Sequence, residues 1–255
     1  MKSITGVLFD LDGVFYVGNQ LISGGNETLA WLRKQGIKYQ FITNNTTLSR
    51  SALVAKLKGL GLNILEGELL SANYAGVLQL QKMGVQRCRL ILSKAAQKDY
   101  PPTVLEEPEA IVIGDIGNSW DYNLLNELMN QVLEGAELIA LHKGRYFQTE
   151  TGLQLDSGAF VAALEHATGK KAHVVGKPTQ TFFEMGSSLL GSKPHELLMV
   201  GDDLINDIQG AQDAGYQAVL VQTGKYREAL VKQSDVNPNG IIPSIAELPS
   251  YLLSN

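Results

Sequence analysis

The sequence predicts an α/β protein, a doubly wound parallel sheet with a second α/β domain inserted into it. Three observations predict this. Apolar strand-like runs alternate with segments of helical spacing at both ends of the chain, several of these runs stop at polar residues, and the middle of the chain carries a complete strand-and-helix pattern of its own. With 255 residues, 44% of them hydrophobic, the chain can bury a core in one large domain or two modest ones.

Val7, Leu8 and Phe9 read as the end of a buried parallel strand, where near-continuous apolar residues are expected because helices cover both faces. The run ends in Asp10 and Asp12, and Gly13 allows a sharp turn. ETLAWLRKQG then has Leu29 and Leu32 at helical spacing, with Gly36 to end the helix. IKYQFIT is a second buried strand and stops at Thr43-Asn44-Asn45. SRSALVAKLKGLG follows as a helix, with Ser49 as its N-cap and Leu53, Leu57 and Leu60 on one face. The last third repeats the pattern: VVGKP, a helix from about Thr179 to Leu190, LLMVGDD, a helix from about Ile205 to Ala214, and AVLVQTG. Between these regions lie RLILS, EAIVIGD, the helical YNLLNELMNQVL, ELIAL, the turn-rich HKGRYFQTETG and GAFVAALEHATG. Residues 1–77 and 175–255 are therefore expected to form the core domain, and residues 78–174 the insert.

A formal charge of −5 argues against nucleic-acid and anionic-membrane partners, which need a basic surface, so any bound anion must be held by local groups. The single cysteine, Cys88, excludes an internal disulfide framework and fits a reducing compartment. The N-terminal stretch is short and interrupted by aspartates, unlike a signal peptide, and no apolar run approaches a membrane span. The expectation is a cytoplasmic protein. Trp31 and Trp120 read as packing groups.

Four polar signals share one position, just after an apolar run: Asp10/Asp12, Thr43-Asn44-Asn45, Lys177 in VVGKP, and Asp202/Asp203 with Asp207 in MVGDDLINDI. In a parallel sheet, strand ends on one edge converge on a crevice, so these distant residues are expected to meet. Clustered carboxylates repel one another and take up protons unless a cation stabilises them. Oxygen ligands alone suit Mg²⁺, which shares its shell with substrate phosphate. Zinc fits poorly, because His142, His166, His173 and His195 lack metal-ligand spacing and one cysteine cannot build a thiolate site. Thr43, the amides at Asn44 and Asn45, and the Lys177 charge can together cradle a phosphate. No GxxxxGK[ST] occurs, and no GxGxxG follows the first strand, so neither a Walker-type site nor a dinucleotide site is supported. Two aspartates one residue apart at a strand end can divide labour. Asp10 would be the nucleophile that accepts a phosphoryl group, and Asp12 the acid that protonates the leaving alkoxide and then the base that activates water.

The ordered set DLDGV, TNN, GKP and GDDLINDI resembles the haloacid dehalogenase superfamily of Mg²⁺-dependent phosphohydrolases. An insert placed after TNN and before GKP is similar to the NagD-type branch, whose Rossmann-like core carries a large inserted α/β cap domain. Stretches such as HKGRYFQTETGL and VQTGKYR resemble the subgroup containing the phospholysine phosphohistidine inorganic pyrophosphate phosphatase. The resemblance implies that Asp10, Asp202 and the Asp12 backbone carbonyl ligate Mg²⁺, that Thr43 and Asn44 hold phosphate, and that Lys177 stabilises nucleophile and phosphate. It further implies that Asp207 supports the metal shell. Asp203 matches a variable position, and Asn206 stands where many relatives have threonine. The implied substrate is a small phosphorylated metabolite, and caps of this branch often take part in dimers, so a homodimer is a further implication.

Two other functions fit parts of the pattern. A receiver-type signalling module also gathers aspartates and a lysine at strand ends, but it needs no inserted domain. A phosphomutase of the same superfamily usually carries its cap between the first two motifs. On the insert, Lys143 and Arg145 could touch a leaving group, although a charged hairpin tip is the simpler reading, and Asp115 reads as a structural turn residue.

Overall fold

The structure is a computed structural model, and it describes residues 4–149 and 152–254. The chain divides into two compact units. One comprises residues 1–43, 53–70 and 177–255, and the other residues 44–52 and 71–176.

The first unit is built on a six-stranded sheet in the spatial order Gly240–Ile242, Gln217–Val221, Leu197–Gly201, Gly6–Phe9, Lys38–Thr43, Leu69–Ser71. Gly6–Phe9 runs parallel to both its neighbours, with Phe9 level with Val200 on one side and Phe41 on the other. Strands later in the chain lie outward from Gly6–Phe9 in both directions. The topological switch point therefore falls between Gly6–Phe9 and Leu197–Gly201, where the carboxyl ends of such strands leave a crevice. All four residues of the first strand are buried, as its unbroken apolar run requires. Phe9, Phe15, Tyr39 and Phe41 form an aromatic cluster beneath the strand ends, with Phe15 edge-on to Phe9 and Phe41 at 5.2 Å.

The helix Gly25–Gln35 ends at Gly36 in the left-handed conformation that glycine tolerates, as its sequence predicts. Ser49 Oγ accepts a hydrogen bond from Ala52 N at the start of the helix Arg50–Gly59. The expected helix from Ile205 to Ala214 differs in form: residues Leu204–Gln209 make a wide π-helical turn, and only Gly210–Asp213 is α-helical. The Asp203 carboxylate accepts from Ile205 N and Asn206 N and caps this turn, and Ile208 N reaches back five residues to Asp203 O at 3.2 Å, the wide closure of a π turn.

The second unit has its own parallel sheet, in the order His173–Val174, Glu137–Ala140, Ala110–Ile113, Cys88–Ile91. Ile111, Ile113, Leu128, Val132, Leu138, Val161 and Leu164 form its core, and Trp120 stacks on Phe160 at 4.3 Å, the packing role its sequence context suggests. The helix Ala72–Met83 lies wholly in this unit, although the sequence reading placed its first half in the core domain. Gly76 explains the grouping: a Cβ there would meet Tyr100 Oη at 2.2 Å and Leu141 Cδ2 at 2.6 Å, so the helix packs on this unit at backbone distance. Lys143 and Arg145 precede the hairpin Tyr146–Thr149/Gly152–Leu155 rather than forming its tip. Lys143 Nζ donates to Glu165 Oε2 at 2.8 Å, and Arg145 lies over the Tyr146 ring. Asp115 Oδ1 accepts from Gly117 N at 2.7 Å, which makes it a turn residue. Among the described residues no helix is long and apolar enough to cross a membrane.

Candidate active site

At the switch point the chain reverses after each strand and leaves a carboxylate behind. Asp10 continues the first strand by one residue, its N–H donating to Val200 O at 2.9 Å, so its backbone is fixed by the ladder. Asp202 follows Gly201 on the neighbouring strand. Asp207 comes from the π-helical turn, which brings its Oδ2 back to accept from Asp203 N at 3.0 Å. One carboxylate oxygen from each of Asp10, Asp202 and Asp207 lies within 4.8 Å of the others, and all three residues are buried.

Lys177 enters between them. Its Nζ donates to Asp10 Oδ1 at 2.7 Å and to Asp207 Oδ1 at 2.6 Å, and the residue is 4% exposed. Burial alone would lower the lysine pKa; the Asp10 and Asp207 carboxylates outweigh it and raise the ammonium above the usual lysine range. Burial pushes the Asp207 carboxyl up, and the Lys177 charge pulls against that push.

Three carboxylates facing one ammonium leave a surplus of negative charge equal in size to the charge of a divalent cation. Asp202 carries the mark of that surplus. Its Oδ2 accepts from Lys225 N at 2.7 Å, whereas Oδ1 is buried with no hydrogen-bond partner among the described residues. An orphaned buried carboxylate oxygen is costly and fits a metal ligand. Burial first, and the Asp10 charge second, push the Asp202 carboxyl up to about 7.

This shift makes a prediction for the metal-free protein. A carboxyl raised from 3.8 to about 7 favours folding below pH 4, where both states hold the proton, and the advantage is lost as pH rises through 7. The loss is on the order of a few kcal/mol. In EDTA, Asp202→Asn should therefore gain melting temperature over the unmodified protein at pH 8 but not at pH 4. Melting curves that stay parallel across that range would contradict the strain assigned to Asp202.

The remaining residues divide into two groups. Asp12 is exposed beside the cluster, and its carboxyl is not among the three gathered oxygens. Partial desolvation and then the Asp10 charge raise its pKa, the environment a proton donor needs. Thr43 is buried at the end of the strand Lys38–Thr43, two residues past the Phe9/Phe41 register pair. Asn44, the next residue, belongs to the second unit.

Asp203 is a supporting group with a defined job. Burial would raise its pKa, but Lys225 and the Asn206 hydrogen bonds hold it at about 2. Asn206, the departure from the common threonine, donates Nδ2 to Asp203 Oδ2 at 2.9 Å and so serves the turn that delivers Asp207.

The glycines around the cluster allow an approach closer than any side chain would permit. Gly13 has φ of +81°, and a Cβ there would fall 1.9 Å from Asp202 Oδ2; at Gly201 a Cβ would fall 2.3 Å from Asp207 Cβ. Of the candidates the sequence offers, Asp10, Asp12, Thr43, Asn44, Lys177, Asp202 and Asp207, the structure gathers the carboxylates of Asp10, Asp202 and Asp207 with the Lys177 ammonium; the sequence reading did not single out Thr223 and Lys225. Both lie just after another strand, Gln217–Val221, where the same strand-end rule could have found them.

Residues 7–100 match the family model described as haloacid dehalogenase-like hydrolase, and residues 174–248 match one described as HAD-hydrolase-like. The chain is 34% identical to the phospholysine phosphohistidine inorganic pyrophosphate phosphatase of Bos taurus, over 100% of this chain and 96% of that protein. It is 38% identical to the haloacid dehalogenase-like hydrolase domain-containing protein 2 of Bos taurus, over 93% and 90%. Among solved structures, the 4-nitrophenylphosphatase of Thermotoga maritima superposes with a TM-score of 0.89 at 25% identity, covering 97% of each chain. NagD of Escherichia coli K-12 shares the fold, with a TM-score of 0.86 at 22% identity over 96% of this chain and 98% of that one.

Proposed function

The chain belongs to the haloacid dehalogenase-like hydrolases and is a phosphatase of their NagD-type branch, and from that premise we propose that it hydrolyses small phosphorylated metabolites through a phosphoryl group carried on Asp10. The observation that carries this reading is the meeting of Asp10, Lys177, Asp202 and Asp207, from the beginning and the final third of the chain, at the switch point of one sheet.

In this reading Asp10 attacks the phosphorus of R–O–PO₃²⁻. The bond from phosphorus to the alcohol oxygen breaks, and Asp12 gives its proton to the departing alkoxide, which leaves as ROH. The Asp12 carboxylate then takes a proton from water while the water oxygen attacks phosphorus. The bond to Asp10 breaks, phosphate leaves, and Asp12 is again protonated. Thr43 and Asn44 donate to the phosphoryl oxygens, and Lys177 fixes the Asp10 carboxylate through Oδ1. Asp10, Asp202 and the Asp12 backbone carbonyl would hold Mg²⁺, with Asp207 supporting that shell; when bound, the ion supplies positive charge to nucleophile and phosphate alike. Burial first and the Asp10 charge second raise the Asp12 carboxyl above the usual aspartate range, which supports its role as the acid.

The name of the 34% identical relative suggests compounds with phosphorus–nitrogen bonds and pyrophosphate alongside phosphate monoesters as substrates to screen. The direct test is turnover of p-nitrophenyl phosphate. Hydrolysis should be catalytic with Mg²⁺, vanish in EDTA and return when Mg²⁺ is restored. Activity that survives thorough chelation would remove the metal from the mechanism, and a single phosphorylation without turnover would favour the receiver-type alternative.

A further inference from the structure

The loop after the strand Gln217–Val221 takes no part in the mechanism above, yet it touches the catalytic turn and the acidic cluster together. Thr223 Oγ1 donates to the Gly13 carbonyl, joining segments 210 residues apart. Two residues on, Lys225 N donates to Asp202 Oδ2 at 2.7 Å, and Lys225 Nζ reaches Asp203 Oδ2 at 3.0 Å. Gly224 lies between them with φ of +59°. A Cβ there would meet Asp202 Oδ2 at 2.1 Å and Gly13 Cα at 2.5 Å. Three backbone segments thus close on one carboxylate oxygen with no room for a side chain.

Packing does not hold this loop in place on every side. It borders a cleft of about 350 Å³ lined by Leu204, Ile205, Leu220, Tyr226, Leu230 and Val231, so the register of the loop against Gly13 depends on polar contacts.

We propose that residues Thr223–Lys225 are a positioning strap for the metal ligand Asp202, with Thr223 as the positioning residue. The Thr223 hydroxyl fixes the strap to the Gly13 peptide, which adjoins the Asp12 carbonyl. The fixed strap keeps the Lys225 amide on Asp202 Oδ2. The bond to Oδ2 favours one orientation of the carboxylate and leaves the partnerless Oδ1 as the oxygen available to a divalent cation. The inference rests on the proposed metal site, and it adds that the affinity of that site is set in part by a neutral hydroxyl that touches neither metal nor substrate.

The test is calorimetric titration of MgCl₂ into the metal-free full chain, without substrate. Thr223→Val keeps the shape and removes the hydroxyl, and Thr223→Ser keeps the hydroxyl. Loss of a single neutral hydrogen bond predicts Mg²⁺ binding roughly fivefold to tenfold weaker in Thr223→Val. Thr223→Ser should stay within about twofold of the unmodified protein with its metal-free melting temperature unchanged, while Thr223→Val should lose only about 2–4 °C, the cost of one neutral hydrogen bond in a chain of this size. Should Thr223→Val fail to fold, Thr223→Ala carries the same prediction without placing a methyl against the Gly13 carbonyl. Equal Mg²⁺ affinity in the folded variants and the unmodified protein would overturn the strap and leave the phosphatase reading standing. Absence of Mg²⁺ binding by the unmodified protein would overturn the metal site, and the strap with it.

Discussion

Asp10→Asn is expected to abolish turnover, by about 10⁴-fold or more, while leaving the fold intact. The amide oxygen is a poor nucleophile, so no phosphoryl group can be carried at position 10. The shape of the side chain is kept, and Lys177 Nζ can still donate to an oxygen where Asp10 Oδ1 now accepts at 2.7 Å. The electrostatics favour the variant. Removing one of three buried carboxylates relieves the surplus negative charge, so the melting temperature in EDTA should hold or rise rather than fall. A steady-state assay with p-nitrophenyl phosphate, paired with a melting curve, checks both halves. Rates near those of the unmodified enzyme would end the assignment of Asp10 as nucleophile.

Lys177→Met should damage stability and turnover together. The ammonium is buried and serves two carboxylates at 2.7 and 2.6 Å, so its removal leaves Asp10 and Asp207 uncompensated away from water. Breaking a buried ion pair from one side costs about 3–5 kcal/mol, which for a chain of this size is roughly a 10 °C drop in melting temperature. Turnover should fall by about 10²–10³-fold, the usual consequence of losing one charged donor at the reacting group. Mg²⁺ should restore part of the stability, because it supplies charge to the same carboxylates, but not the rate. A metal-free melting temperature that does not move would show that Lys177 is not the counterion of the cluster.

The two variants separate what the sequence makes visible from what it conceals. Asp10, Lys177 and Asp202 are legible because a charged residue at the end of an unbroken apolar run is anomalous for a core strand, and the alternation of strands and helices places such ends on one edge. The role of Asp207 within the gathered oxygens was harder to read. It depends on the wide turn after Asp203, and a helical spacing pattern looks the same whether the first turn is α or π. Thr223 and Lys225 follow the same strand-end rule, but they act through a hydroxyl and a main-chain amide, which leave no charge pattern. The strand Leu69–Ser71 is too short to announce itself by periodicity. The grouping of the helix Ala72–Met83 with the second unit follows from close packing at Gly76, a contact that composition does not encode.

The account stands on the claim that a phosphoryl group is transferred to the Asp10 carboxylate. Borohydride reduces an acyl phosphate, but not a free carboxylate, to the alcohol. The decisive measurement is therefore acid quench of the enzyme during turnover, treatment with borohydride and mass spectrometry of the peptide containing position 10. Homoserine at position 10, absent without substrate and absent in Asp10→Asn, is the predicted result. Unreduced aspartate at position 10 in an enzyme turning over, with homoserine appearing at another aspartate, would contradict it.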